Sequence, residues 1–254
     1  LVPAYQAGDF LIAHAVGSAD WTRSHFDAQQ FMEAGIPGNL FEPSGWLARH
    51  LLEASPASPD AVLRAVALDR ALPRTLANSP KALPVPEPGE FRLAGEPANS
   101  SERLDLLAAM YATSDDPLRT AAENTRATFA LLESLDIGSY TGAEGVPYPD
   151  SEFGLAMKSA AALIRAEAGI EAIAVDRGGW DTHAFQGSTE GIMAFIMTDL
   201  AESLAAFHAD VIAGGKRVTV VIMSEFGRNV GENGRNGTDH GHGECMMLRG
   251  DAGI

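Results

Sequence analysis

The chain has 254 residues, 46% hydrophobic and 20% charged, an ordinary balance for a globular protein able to bury a sizeable core. Its formal net charge of −16 speaks against a nucleic-acid surface and against docking on anionic membranes, both of which need clustered Lys and Arg. An anionic substrate stays compatible, because bound cations invert the field inside a cleft.

A single cysteine, Cys245, permits no internal disulfide. No apolar run approaches the roughly 18–20 residues of a membrane-spanning helix. Leu1-Val2-Pro3 does not read as a signal peptide, and Gly253-Ile254 follows directly on a strand-like run, so native sequence is expected beyond both ends.

Taken in chain order, residues 10–16 predict a buried strand closed by Gly17-Ser18. A helix follows over residues 24–34, with Ser24 and Asp27 spaced as a capping box and with Gly35 and Pro37 as its stop. Another helix is predicted over 44–53 and a strand within 61–68. Pro and Gly crowd residues 73–99, and helices over 101–111 and 117–135 come next. Residues 73–150 therefore read as an irregular, partly helical insertion.

After a helix over 151–168 the alternation sharpens: strand 170–175, a polar loop, helix 189–213, strand 217–223, a glycine-rich loop and a short strand at 245–248. This pattern predicts one α/β domain over residues 1–254, with a largely parallel sheet between helical layers.

Three polar clusters sit beside those strands: Gly178-Gly179-Trp180-Asp181-Thr182-His183, Ser224-Glu225-Phe226-Gly227-Arg228, and Gly237-Thr238-Asp239-His240-Gly241-His242-Gly243. Carboxylates and imidazoles gathered at strand ends suit a hard or borderline divalent cation, and open α/β sheets place their sites beyond the carboxyl ends of their strands. Asp181 and His183, two apart, can turn to one side; the alternative is a turn that Asp181 caps while His183 packs on Trp180. Asp239, His240 and His242 lie among glycines, where core packing does not explain them. Glu225 is a ligand, a general base or the ion-pair partner of Arg228. Ser24 is a candidate nucleophile at a helix N-terminus, beside Arg23 and His25, or only a helix cap. His14, His50 and His208 read as packed or surface residues, and the methionines near 192–197 as core filling.

Read together and in order, Thr22-Arg23-Ser24-His25-Phe26-Asp27-Ala28-Gln29 and the three clusters resemble the bacterial domain of unknown function 1501 family, which usually has Ser at the position of Thr22. That family is similar in fold to the alkaline phosphatase and sulfatase superfamily, a large parallel sheet between helices with two metals at the strand ends. The resemblance implies that Asp181, His183 and His240 hold a first metal. Glu225-Phe226 stands where the superfamily has an Asp-His pair for a second, with Asp239, His242 or His25 as substitutes. It puts Ser24 near the nucleophile position and places a further metal-binding Asp upstream of Leu1. No C/S-x-P-x-R motif occurs, which argues against a formylglycine sulfatase. Twin-arginine signals frequent in the family imply a periplasmic or extracellular protein.

The expectation is a hydrolase of small phosphate or sulfate esters using one or two divalent ions, Zn or Mn first. Ser24 would attack while Arg23 or Arg228 holds the non-bridging oxygens. The alternatives are a secreted, non-catalytic binding or assembly protein that keeps the fold, with or without one metal, and a metal-dependent hydrolase in which Ser24 is only a cap.

Overall fold

The computed structural model describes residues 1–91, 100–143 and 145–250; the part of the expected insertion at 92–99, residue 144 and the terminal Gly253-Ile254 lie outside the described residues. The strand β2 (Ala65–Ala67) is the structural pivot. It is buried along its whole length and pairs in parallel with β3 (Ala82–Pro84) on one side and β4 (Ala172–Ala174) on the other. Alternate side chains of a strand point to opposite faces, and here the two faces meet different layers. Val66 joins the larger core with Met157 and Leu163 of α6 (Glu152–Arg165) and Leu200 and Leu204 of α7 (Ile192–Phe207). Ala65 and Ala67 pack on Leu51 of α3 (Trp46–Glu53) and on Leu76. Helices thus cover both faces of a small parallel sheet, and the protein is α/β.

The expectation of one largely parallel sheet needs correction. A second three-stranded sheet has the order β1-β6-β5, and both of its pairings are antiparallel. Its strands are β1 (Phe10–Val16), β5 (Val220–Ile222) and β6 (Glu244–Arg249). The cause lies in the connection: β5 returns to β6 through a loop without a crossover helix, and parallel neighbours require such a crossover. β1 is also less buried than its apolar sequence suggested, with Leu11 47% exposed. It lies at a sheet edge. The Pro-rich stretch after residue 73 contains β3, which the density of turn residues concealed. Pro84 is tolerated there because β3 is an edge strand.

The helices fall close to their expected bounds. The helix α2 spans His25–Ala34 and ends on Gly35 in the left-handed conformation, while α4 (Ser100–Tyr111) and α5 (Leu118–Ser134) pack against each other in the middle region. Ser151 caps α6 by accepting from the Gly154 amide at 2.9 Å, and its hydroxyl donates to Asp199 of α7 at 2.5 Å. Such a cap stabilises by about 1 kcal/mol.

One further expectation fails on length. The helix Ile192–Ile212, α7 with its π-helical end His208–Ile212, has 21 residues and a mean hydropathy of 1.3, long and apolar enough to cross a membrane. Asp199, Glu202 and Asp210 interrupt the apolar run in sequence and hide this. Two of its carboxylates are paired inside the protein. Asp199 pairs with Arg177 at 2.8 Å, and the fully buried Asp210 accepts from Tyr140 and Tyr148 and faces Arg165. Leu200, Leu204, Phe207 and Val211 belong to the larger core. Met197, expected to fill that core, is 43% exposed.

Two buried arginines behave differently. Arg64 donates to both oxygens of Glu171, at 2.5 and 3.0 Å, and to the Leu51 carbonyl at 2.7 Å, tying α3 to the approach of β4. Arg249, at 0% exposure on β6, has no hydrogen-bond partner on any guanidinium nitrogen among the described residues. Burial lowers its pKa, and the charge of Asp9 opposes that shift.

Candidate metal centre

The three polar clusters meet because two loops cross. Arg228 and His240 form an antiparallel bridge, with the Gly241 amide donating to the Gly227 carbonyl at 2.7 Å and the Asn229 amide to the Asp239 carbonyl at 2.8 Å. The crossing is too close for side chains. A Cβ on Gly227 would lie 1.9 Å from the Gly243 oxygen, and one on Gly237 would lie 2.3 Å from the carbonyl carbon of His183. The glycines therefore set the approach of the His240 loop to the His183 loop. Gln186 fastens the same junction, since its Oε1 accepts from Thr182 at 2.9 Å and from Thr238 at 2.7 Å.

At the crossing, donor atoms of His25, Asp181 and His240 all lie within 4.8 Å of one another. His240 Nε2 is 2.9 Å from Asp181 Oδ1, and His25 Nε2 is 3.3 Å from Asp181 Oδ2. His183 joins on the flank, with its Nε2 2.9 Å from Asp181 Oδ1 and 3.0 Å from His240 Nε2. Each imidazole is steered from behind. His25 Nδ1 meets Glu225 at 2.5 Å, His183 Nδ1 meets Asp239 at 2.9 Å, and His240 Nδ1 donates to the Arg23 carbonyl at 2.8 Å. An oxygen on Nδ1 fixes the tautomer and frees Nε2 as a lone-pair donor, the usual arrangement of metal-binding histidines. His25 Nε2 is buried without a geometrically sound hydrogen bond despite its closeness to Asp181. A buried nitrogen without a hydrogen bond, in a set of two imidazoles and one carboxylate, fits zinc or manganese.

The charges agree with this reading in part. Burial raises the Asp181 pKa, but Arg228 above all, then His240, His183 and His25, outweigh it and hold the carboxyl far below its usual range. Burial likewise disfavours the His25 imidazolium, and Glu225 with Asp181 overcomes it, so that its pKa sits above the ordinary histidine value. Hydrogen bonds from His183 and Asn233 lower the pKa of Asp239. Arg228 is itself a cation at this centre, with Nη1 2.5 Å from Asp181 Oδ1.

The expected residues divide accordingly. Asp181, His240 and His25 converge, with His183 beside them. Glu225 and Asp239 reach the group through His25 and His183. Of the alternatives for Glu225, the pair with Arg228 does not form: Arg228 pairs with Asp181, and its Nε donates to Thr238 at 2.9 Å. His242 turns away and stacks on Trp21, with ring centroids 4.3 Å apart at 13°. Ser24 is the N-cap residue of α2, but its side chain makes no capping hydrogen bond, so the capping box does not form. It stands between the Arg23 carbonyl that binds His240 and the imidazole of His25. Arg23 is exposed.

Two contributors escaped the sequence reading. Phe226, in the position where an imidazole was expected, lies with its ring 4.9 Å from that of His25 and 4.6 Å from that of His240, as an apolar floor. Glu244 accepts from the Ser224 amide at 3.0 Å and anchors the start of the Glu225 loop; burial raises its pKa, against the pull of Ser224. Its position at the head of β6 was the available signal. A cleft of about 370 Å³ opens alongside, lined by Asp69, Phe153, Asp176, Arg177 and Phe195 among others, at the carboxyl ends of β2 and β4. It adjoins the loop leading to Asp181 but does not include the converging donors.

Comparison with known proteins gives no match to any curated protein and none to any solved structure. The family model described as "Protein of unknown function (DUF1501)" matches residues 38–254, which carry all three polar clusters but not the stretch around Ser24 and His25. With most of its length matched, the chain belongs to the DUF1501 family.

Proposed function

We propose that the protein is a metal-dependent hydrolase of small phosphate or sulfate esters, built on an alkaline-phosphatase-like plan. The observation that carries the reading is the convergence of His25, Asp181 and His240 within 4.8 Å, each imidazole backed by an oxygen on its far nitrogen. Those residues, with His183, would hold one divalent ion, zinc or manganese first. When bound, such an ion polarises the ester oxygen and stabilises developing negative charge. Two imidazoles and an Arg228-paired carboxylate make a compact site, and a second ion has fewer donors available because Phe226 replaces an imidazole.

Ser24 is the nucleophile of this reading. Its hydroxyl is free of the cap, and it sits at the N-terminus of α2, where unpaired amides favour an anion. Its oxygen bonds to phosphorus or sulfur as the ester oxygen leaves, and the Ser24 proton ends on the departing alcohol. Water then cleaves the seryl ester and restores the hydroxyl. Exposed Arg23 is the side chain for the non-bridging oxygens, because Arg228 is engaged by Asp181 and Thr238. A periplasmic or extracellular location belongs to the same proposal, on the strength of the family resemblance.

The test is metal analysis of the full-length protein together with a phosphate- and sulfate-ester screen of native protein, Asp181→Ala, His240→Ala and Ser24→Ala. Stoichiometric metal and turnover, both lost in the first two variants, are the expected results. Turnover within a few-fold in Ser24→Ala would leave a hydrolase without the covalent step. No metal and no variant effect would end the proposal.

A second reading has its own support. The Arg228 guanidinium already supplies a positive charge to Asp181 Oδ1. That arrangement suits a non-catalytic secreted binding or assembly protein. Bound metal without turnover, and a co-purifying protein or polysaccharide, would select it.

A further inference from the structure

Trp21 is 75% exposed, and that is unusual for the residue's situation. One face of its indole is already covered by the His242 imidazole, stacked at 4.3 Å and 13°. Much of the rest of the residue is therefore open to solvent. A stacked pair costs an exposed tryptophan much of its rotational freedom, so the free face is held in a fixed direction. Its neighbours hold the loop as well. Ser18 accepts from the Asp20 amide at 3.1 Å, Asp20 from the Thr22 amide at 2.8 Å, and Thr22 from the Ser24 amide at 3.2 Å, an unbroken run of short-range bonds reaching the candidate nucleophile.

The position is as informative as the exposure. Trp21 is two residues from Arg23, whose carbonyl receives His240, and three from Ser24. Two residues span at most about 7 Å. Its stacking partner, His242, is two residues from His240 on the other side of the crossing. The pair therefore bridges the two segments that build the centre, beside the donors and outside them. A Cβ on Gly17 would lie 3.2 Å from His242 Nε2, so the glycine leaves the imidazole room to lie flat under the indole.

We infer that Trp21, seated on His242, is a platform for a ring in the substrate: the ester's alcohol side carries an aromatic or sugar ring whose flat face stacks on the free side of the indole. This rests on the hydrolase reading for the reaction, though the platform itself is a binding element. Such stacking contributes about 0.5–1.5 kcal/mol, which corresponds to about 2- to 12-fold in selectivity. Sugar and aryl rings share the required flat apolar face, and the assay separates them.

The experiment uses the full chain with phenyl phosphate, glucose 6-sulfate and methyl phosphate as probes, reading both tryptophan fluorescence and turnover. Trp46 and Trp180, the other two tryptophans, are only partly exposed, so quenching that disappears in Trp21→Ala reports on Trp21. The expected result is quenching by one ring compound but not by methyl phosphate. Trp21→Ala should lower kcat/KM for that ring ester relative to methyl phosphate by about 2- to 12-fold, and Trp21→Phe should recover part of it. Whichever ring compound quenches names the class. An unchanged ratio in Trp21→Ala, or quenching that survives the substitution, would overturn the platform while leaving hydrolysis intact. Ring-specific quenching with no turnover of any ester would keep the platform and sink the hydrolase.

Discussion

His25 Nδ1 lies 2.5 Å from Glu225 Oε1, a contact between residues 200 positions apart that joins the first turn of α2 to the loop after β5. The bond fixes which His25 nitrogen faces Asp181. Replacing the carboxylate by an amide keeps the shape and removes the charge. Glu225→Gln is expected to weaken zinc binding by about 10- to 100-fold, the usual cost of losing a partner behind a metal-binding histidine. Equilibrium dialysis measures it, and unchanged affinity would mean that the contact does not orient His25.

The crossing of the loops depends on Gly237, where an added methyl would sit 2.3 Å from the His183 carbonyl carbon. Backbone, unlike a side-chain tip, cannot give way cheaply. Gly237→Ala is expected to destabilise the protein by about 1–3 kcal/mol and to abolish metal binding, because His183 and His240 are pushed apart. Urea unfolding followed in parallel with metal content checks both, and a variant that binds metal normally would refute the role given to this approach.

Asp210 is fully buried on the π-helical end of α7 and draws in Tyr140 at 2.7 Å, Tyr148 at 2.8 Å and Arg165 at 3.3 Å. Asp210→Ala leaves the Tyr140 and Tyr148 hydroxyls without their acceptor, while Arg165 loses an ion-pair partner but keeps the carbonyl of residue 210. The cost should be about 1–3 kcal/mol for each stranded hydroxyl. The network also sets a pH limit. Burial, with the charge of Asp210, pushes the Tyr140 pKa up to about 12 and raises that of Tyr148 further. Between the unfolded tyrosine value near 10 and these raised values, the folded state holds protons that the unfolded state has released. The contribution is therefore complete below about pH 10 and is lost as pH rises through about 12. Thermal melts from pH 8 to 12 should show this alkaline decline, shallower in Tyr140→Phe; identical slopes would exclude Tyr140 as its source.

Arg249 offers a stabilising change. Among the described residues its guanidinium has no hydrogen-bond partner, and such a buried cation carries a desolvation cost that an apolar chain of similar length does not. Arg249→Met is expected to raise stability by about 1 kcal/mol or more, read as a higher urea midpoint with an unchanged slope. A drop of several kcal/mol would show that Arg249 is paired after all.

Local pattern made much of this protein legible. The short apolar runs around Val66, Ile173 and Val221 announced strands, Gly35 announced the end of α2, and the acidic and imidazole residues near 181 and 240 stood out among glycines where no core could need them. Asp181, His183 and His240 do meet as expected, whereas other inferences about partners misled. The sheet was expected to be largely parallel, yet β6 pairs antiparallel on both sides. His242 was counted with His240, two positions away and so on the same side of an extended segment, yet its ring lies on Trp21 instead. Ser24 was read as a candidate nucleophile or a helix cap, and its side chain makes no capping hydrogen bond.

The sequence by itself determined the elements, the turns and the stock of donor atoms, because those follow from short-range preferences of a few neighbouring residues. Only the tertiary structure decided which donors meet. His25, Asp181 and His240 come from three distant segments, and their approach is set by loop crossing, glycine clearance and the packing of Phe226 beneath two imidazoles. Those are contacts between surfaces far apart along the chain, and no local pattern encodes their distance.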